Sequence, residues 1–151
     1  MSELELIKQI NNLQRQVDGL IKPEVGRWIT WTPTVTQGVA ITIAITYARY
    51  IIKDQTVTMM AQIELQSAGT PGAAVVVAGI PSIAAPANLG TIGTALVVDS
   101  GVQNYHGLVW AQTINDFRII TNGGTGFFGV NPAYTIANGD RLEFVATYEQ
   151  T

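Results

Sequence analysis

The spacing of apolar positions changes once along this chain, and the change divides it in two. Over the first stretch Leu6, Ile10, Leu13, Val17 and Leu20 recur at intervals of 4, 3, 4 and 3. That alternation winds helices around each other. Ser2 followed by Glu5 is a capping box that satisfies the first free amides of such a helix. Gly19 and Pro23 end it, because proline lacks the amide and restricts the residue before it. Ile10 and Val17 occupy the a positions and the three leucines occupy d, the two-strand preference of parallel coils. Ile7 and Ile21 fall at e and widen the stripe, which favours a third helix or packing onto the rest of the chain. An amphipathic helix folded back on its own domain is the alternative to a coil between copies.

From Arg27 the period falls to 2. Ile41, Ile43, Ile45 and Tyr47 alternate with Thr42, Ala44 and Thr46. Lys53, Asp54 and Gln55 predict a tight turn between Tyr50–Ile52 and a strand over 56–65. Further strands are expected at 73–80, 91–98, 103–112, 117–121, 126–130 and 141–149. Turn residues separate them at Asp99-Ser100-Gly101, Asn115-Asp116, Asn122-Gly123-Gly124 and Asn138-Gly139-Asp140. No helical period returns after Pro23. Eight to ten short strands predict an all-β sandwich or barrel, for which a jelly roll is the size match. The expected organisation is a coiled-coil anchor at 1–22, a linker at 23–30 and a β-sandwich head at 31–151.

Composition narrows the function classes. Charged residues are 13% of the chain and apolar ones 47%, so a single copy would be thinly solvated and apolar surface is expected between subunits. Residues 1–27 carry balanced charge, so the net −3 belongs to the body. There Arg49, Lys53, Arg118 and Arg141 are scattered, whereas nucleic acid demands clustered cations. Cysteine is absent and His106 is the single histidine, which removes thiolate catalysis, Cys-based clusters and two-histidine metal sites within one chain. No apolar run suits a signal peptide or membrane span. No cofactor and no metal are expected.

Some residues carry the types that chemistry needs. Asp99, Ser100 and His106 contain the members of a hydrolase triad, but no nucleophile elbow surrounds Ser100 and Asp99-Ser100-Gly101 also reads as a hairpin turn. Asp140 and Glu143 could pair as in a glycosidase, although Asp140 reads as a solvated turn acid. Gly123-Gly124-Thr125-Gly126 lacks the lysine of a phosphate loop. Asp54, Asp99, Asp116 and Asp140 occupy turns without the alternating oxygen ligands of a calcium loop. No catalytic residue is assigned. Trp28 and Trp31 are expected to plug the base of the body. Tyr105, His106 and Trp110 are the candidate binding residues, since flat aromatics stack on sugar faces. On a strand, His106 and Trp110 share one side and Tyr105 and Val109 the other; core or subunit interface is the competing place for either side.

Trp31 to Gly38, Ile45 to Tyr50, Ser67 to Gly72, Ala74 to Pro81 and Asn138 to Glu149 resemble stretches of tailed-bacteriophage virion proteins: small trimeric fibre, spike and capsid-decoration proteins. The resemblance implies a homotrimer of jelly-roll heads, similar in outline to C1q and tumour-necrosis-factor heads, on a short parallel coil. It implies no catalytic residues. A coil of about 30 Å suits a compact spike rather than a long shaft. The expectation is a virion protein made in the host cytoplasm, joined to other virion proteins by its coil and presenting its head to a host-surface glycan. Capsid decoration without a receptor role, and a free-standing lectin-like module, are the alternatives.

Overall fold

A computed structural model of the chain describes residues 1–21, 26–121 and 126–151. Its helix, α1 (Glu3–Ile21), begins with the capping box in place. The Glu5 amide donates to Ser2 Oγ at 3.2 Å, and the Ser2 amide donates to Glu5 Oε2 at 3.2 Å. Residues 1–16 are all exposed, Leu6, Ile10 and Leu13 among them. Over these residues the helix is therefore not packed on the body. The side chains of Val17 and Leu20, and Pro23, lie outside the described positions.

The body is a sheet of ten antiparallel strands among the described residues. In chain order they are β1 (Ile29–Thr30), β2 (Thr34–Gln37), β3 (Val39–Ile41), β4 (Ile43–Lys53), β5 (Thr56–Leu65), β6 (Val76–Ala78), β7 (Gly90–Asp99), β8 (Gln103–Ala111), β9 (Asp116–Thr121) and β10 (Asp140–Glu149). Ile29 and Thr30, expected in the linker, pair with Tyr50 and Arg49. The spatial order is β1-β4-β5-β10-β7-β8-β9-β6-β2-β3. Only Thr42 separates β3 from β4, yet β3 is one edge of the sheet and β4 is second from the other. Adjacent residues cannot stand at opposite ends of a flat sheet, so this one curls until its ends approach. Thr42 fastens the approach: its carbonyl accepts from the Gln66 amide and its amide donates to Ser67 Oγ, both at 2.8 Å.

Inside the curl lies one continuous core. Strict alternation sends Val57, Met59, Ala61, Ile63 and Leu65 of β5 inward, with Leu142, Phe144, Ala146 and Tyr148 of β10 beside them. Phe117 meets Phe144 and Tyr148 edge-on, with ring centroids 5.9 and 6.1 Å apart. Each large side chain buried this way stabilises the fold by roughly 1.5–3 kcal/mol.

Two expected strands differ. The run 73–80 pairs only as β6, and Gly79 ends it with φ +87 where a Cβ would press on the Thr32 carbonyl at 3.1 Å. The stretch 126–130 is not a strand. Phe128 is buried and links two segments, its amide donating to Ile119 and its carbonyl accepting from Val75. Gly129 then turns the chain at φ +101, with room for no side chain beside the Ala73 carbonyl. The positive φ and the close backbone approach exclude an extended ladder here.

Candidate functional site

Alternation that fills the core with one side of each strand sets the other side toward solvent in rows. Arg49, Met60, Val145, Thr94, Leu108 and Ile120 stand opposite one another across β4, β5, β10, β7, β8 and β9. The adjacent row runs Tyr47, Gln62, Glu143, Leu96 and His106. Val145 is 45% exposed, Leu108 41% and Tyr47 39%. Between the rows lies a shallow groove of about 360 Å³, lined by Tyr47, Thr94, Leu96, His106 and Val145 among others. Glu143 at its floor is already engaged: it accepts from Gln62 Nε2 at 2.8 Å and faces Arg141 Nε at 2.7 Å. The surface is thus mainly apolar, with its acid neutralised, and suits burial against another apolar surface.

The three candidate binding residues separate. His106 lines the groove. Trp110 lies outward on the same strand, opposite Thr91 on one side and Arg118 on the other. Tyr105 turns inward with Val109, as the period predicts, and packs on Phe128 and Tyr134 at 4.9 and 5.6 Å between centroids. It is half-buried in the core wall and is not part of a binding surface with the other two.

Beside Trp110 stands a pair that sequence reading did not single out. The Arg118 guanidinium carbon sits 4.8 Å from the centre of the Phe127 ring. Register supplies the missing signal: β8 and β9 are a hairpin, so a residue opposite Trp110 must be an outward one on β9, and Arg118 is that residue. At the other end of the sheet, Arg49 lies over Trp28 at 4.8 Å and Tyr47 at 5.6 Å. Of the two expected plugs, Trp31 is buried while Trp28 remains 39% exposed.

The triad types do not converge. Asp99 pairs in register with Gln103, and His106 with Leu96, three residues along β7 and so about 10 Å away. The Ser100 amide donates to Asp140 Oδ1 at 2.9 Å. Burial first, and the Asp140 charge second, push the Asp99 carboxyl above its ordinary range. Asp140 and Glu143 point to opposite sides of β10. Asp140 corrects the expectation of a solvated turn acid, for it is buried and accepts from the Ser100 and Ala137 amides and from the Tyr134 hydroxyl. Those donors compensate the carboxylate for lost water. Burial and the adjacent Asp140 raise the Tyr134 hydroxyl far above an ordinary tyrosine. Gly123, Gly124 and Thr125 of the glycine loop lie outside the described residues. Among the described residues no group of three or more Asp, Glu or His side chains could hold a metal ion, and no helix is long and apolar enough to cross a membrane.

No protein family, curated protein or solved structure matches this chain.

Proposed function

We propose that the protein is a non-enzymatic bacteriophage virion protein: a compact homotrimeric spike whose N-terminal coil is its anchor and whose β head meets the host surface. The observation that carries this reading is α1. Its heptad residues Leu6, Ile10 and Leu13 are exposed on their own chain, and a helix with an apolar seam and nothing to bury it against is stable only beside others like it. Three copies bury the widened stripe that Ile7 adds. A parallel coil gathers the bodies around one axis, where the rows carrying Tyr47, Met60, Leu96 and Val145 bury one another. The jelly-roll winding belongs to the same proposal; what supports it is the curled antiparallel sheet with the last strand, β10, central between β5 and β7.

The head's role in attachment is supported by Trp110, a half-buried aromatic on an outward strand position. Stacking on a host-surface glycan uses such a ring. The experiment that tests the function is electron microscopy of the purified particle with the protein labelled. Label at the tail tip or baseplate is the expected result. Label over the capsid lattice assigns a decoration role instead, and a particle without label overturns the virion reading.

A further inference from the structure

Among the few charged groups of the body, Arg141 faces Glu143, and Asp140 accepts from backbone amides. Arg118, like Arg49, lies against an aromatic ring instead. It stands on the outward side of β9, directly opposite Trp110 of β8, with its guanidinium stacked on Phe127. Its Nε is buried with no hydrogen-bond partner, and among the described residues no carboxylate pairs with it. Asp116, two residues away on the same side, accepts from the Thr113 hydroxyl at Oδ2 at 2.6 Å, and its Oδ1 is buried without a hydrogen-bond partner.

We propose that Trp110, Arg118 and Phe127 form a binding patch for a carboxylate-bearing sugar, an acidic member of the glycan class named above, and the proposal rests on that attachment reading. Stacking on Phe127 restrains the guanidinium in one plane, and because Nε is buried the fork that can meet a ligand is the terminal Nη1–Nη2 pair. A planar fork held this way is matched to a carboxylate, which it binds through two parallel hydrogen bonds. The adjacent indole of Trp110 offers a flat apolar face to the C–H side of the sugar ring that bears that carboxylate. Charge and platform thus stand side by side, the arrangement an acidic pyranose requires.

Other anionic partners fit less well. A peptide gains most by adding a strand to an open edge, but β8 is flanked by β7 and β9, and β9 by β8 and β6. Nucleic acid needs several clustered cations, and Arg118 is the single base of this patch in a chain of net charge −3.

The test is calorimetric titration of the full-length chain with sialyl-, glucuronyl- and galacturonyl-terminated oligosaccharides and their neutral counterparts. At least one acidic probe binds, and its neutral counterpart binds about tenfold more weakly or not at all. Arg118→Gln loses that binding, Trp110→Ala weakens it by a similar factor, and Arg118→Lys recovers only part because it lacks the fork. Thermal melts of the variants confirm that the fold is kept. Absence of binding to every acidic probe, or equal binding by Arg118→Gln, overturns the patch. Neutral sugars bound equally well by wild type and Arg118→Gln would remove the acidic class and leave attachment standing. A chain of trimeric mass that binds no sugar removes the patch and the glycan role together, leaving assembly untouched.

Discussion

The side-chain amide of Gln37 is tied to the backbone of Ile136, 99 residues further along the chain, whose N–H donates to Gln37 Oε1 at 2.8 Å. The same amide donates through Nε2 to the carbonyls of Tyr134 at 2.6 Å and Ala73 at 3.1 Å. Gln37 is fully buried at the end of β2, and these three bonds use both of its N–H donors and one of its two acceptor positions. The clamp joins β2, near one edge of the sheet, to the segment that leads into the central strand β10. Glycine is required at its walls, since a Cβ on Gly69 would lie 2.0 Å from Gln37 Oε1. Gln37→Leu keeps the bulk but strands three backbone groups. It should cost about 3 kcal/mol, read as a lower urea midpoint without a change of slope.

Asp140 performs the same service between the β7–β8 turn and β10. Removing its carboxylate in Asp140→Ala leaves the Ser100 and Ala137 amides and the Tyr134 hydroxyl without their acceptor. A loss of about 3 kcal/mol or more is expected. Asp140→Asn, which retains one acceptor oxygen, should lose less. Chemical denaturation of the two variants beside the parent checks the order.

Tyr134 and Tyr148 set an alkaline limit. Burial is the main cause that holds both hydroxyls protonated well above the ordinary tyrosine value of 10.0. Their pKa values are thus raised in the folded state, so the stability they contribute is complete below the unfolded value. It is lost as pH rises above about 10, where the unfolded chain releases protons that the native one retains. The urea midpoint should be flat on the neutral side of that value and fall on the alkaline side. Tyr148→Phe should flatten the fall, at the cost of the 2.8 Å bond to the Ala84 carbonyl. A midpoint that is level through the tyrosine range contradicts this.

In the proposed trimer, association rests on two apolar surfaces in different parts of the chain. Ile10→Asp puts a charge into the seam of α1 and should dissociate the coil. Val145→Glu, in the centre of the outward row, should weaken association while the monomer keeps its fold, because the position is 45% exposed. Sedimentation measures the association of both variants, and a thermal melt checks that Val145→Glu keeps its fold.

The parts of this fold that local chemistry dictates were legible in the sequence. Ser2 and Glu5 announced the helix start, and Asp54, with φ 57, sits where the tight turn before β5 was expected. Period 2 also divided Tyr105 from Trp110 correctly, since neighbours on a strand must face opposite ways. Legibility failed where distant residues decide. An aspartate in Asn138-Gly139-Asp140 has the same local signature whether water or Tyr134 covers it. Nothing near Gln37 marks it as a clamp, because its partners lie 36 to 99 residues away. Phe127 and Phe128 looked like a strand, and Gly129 turned them into a corner instead. Arg118 gained its meaning only from the register that puts it opposite Trp110.

Light scattering on the full chain tests the proposed assembly most directly. A particle of three times the 16.2 kDa chain mass is expected, reduced to one chain by Ile10→Asp together with Val145→Glu. A mass of one chain at every concentration, with α1 helical by circular dichroism, would contradict it.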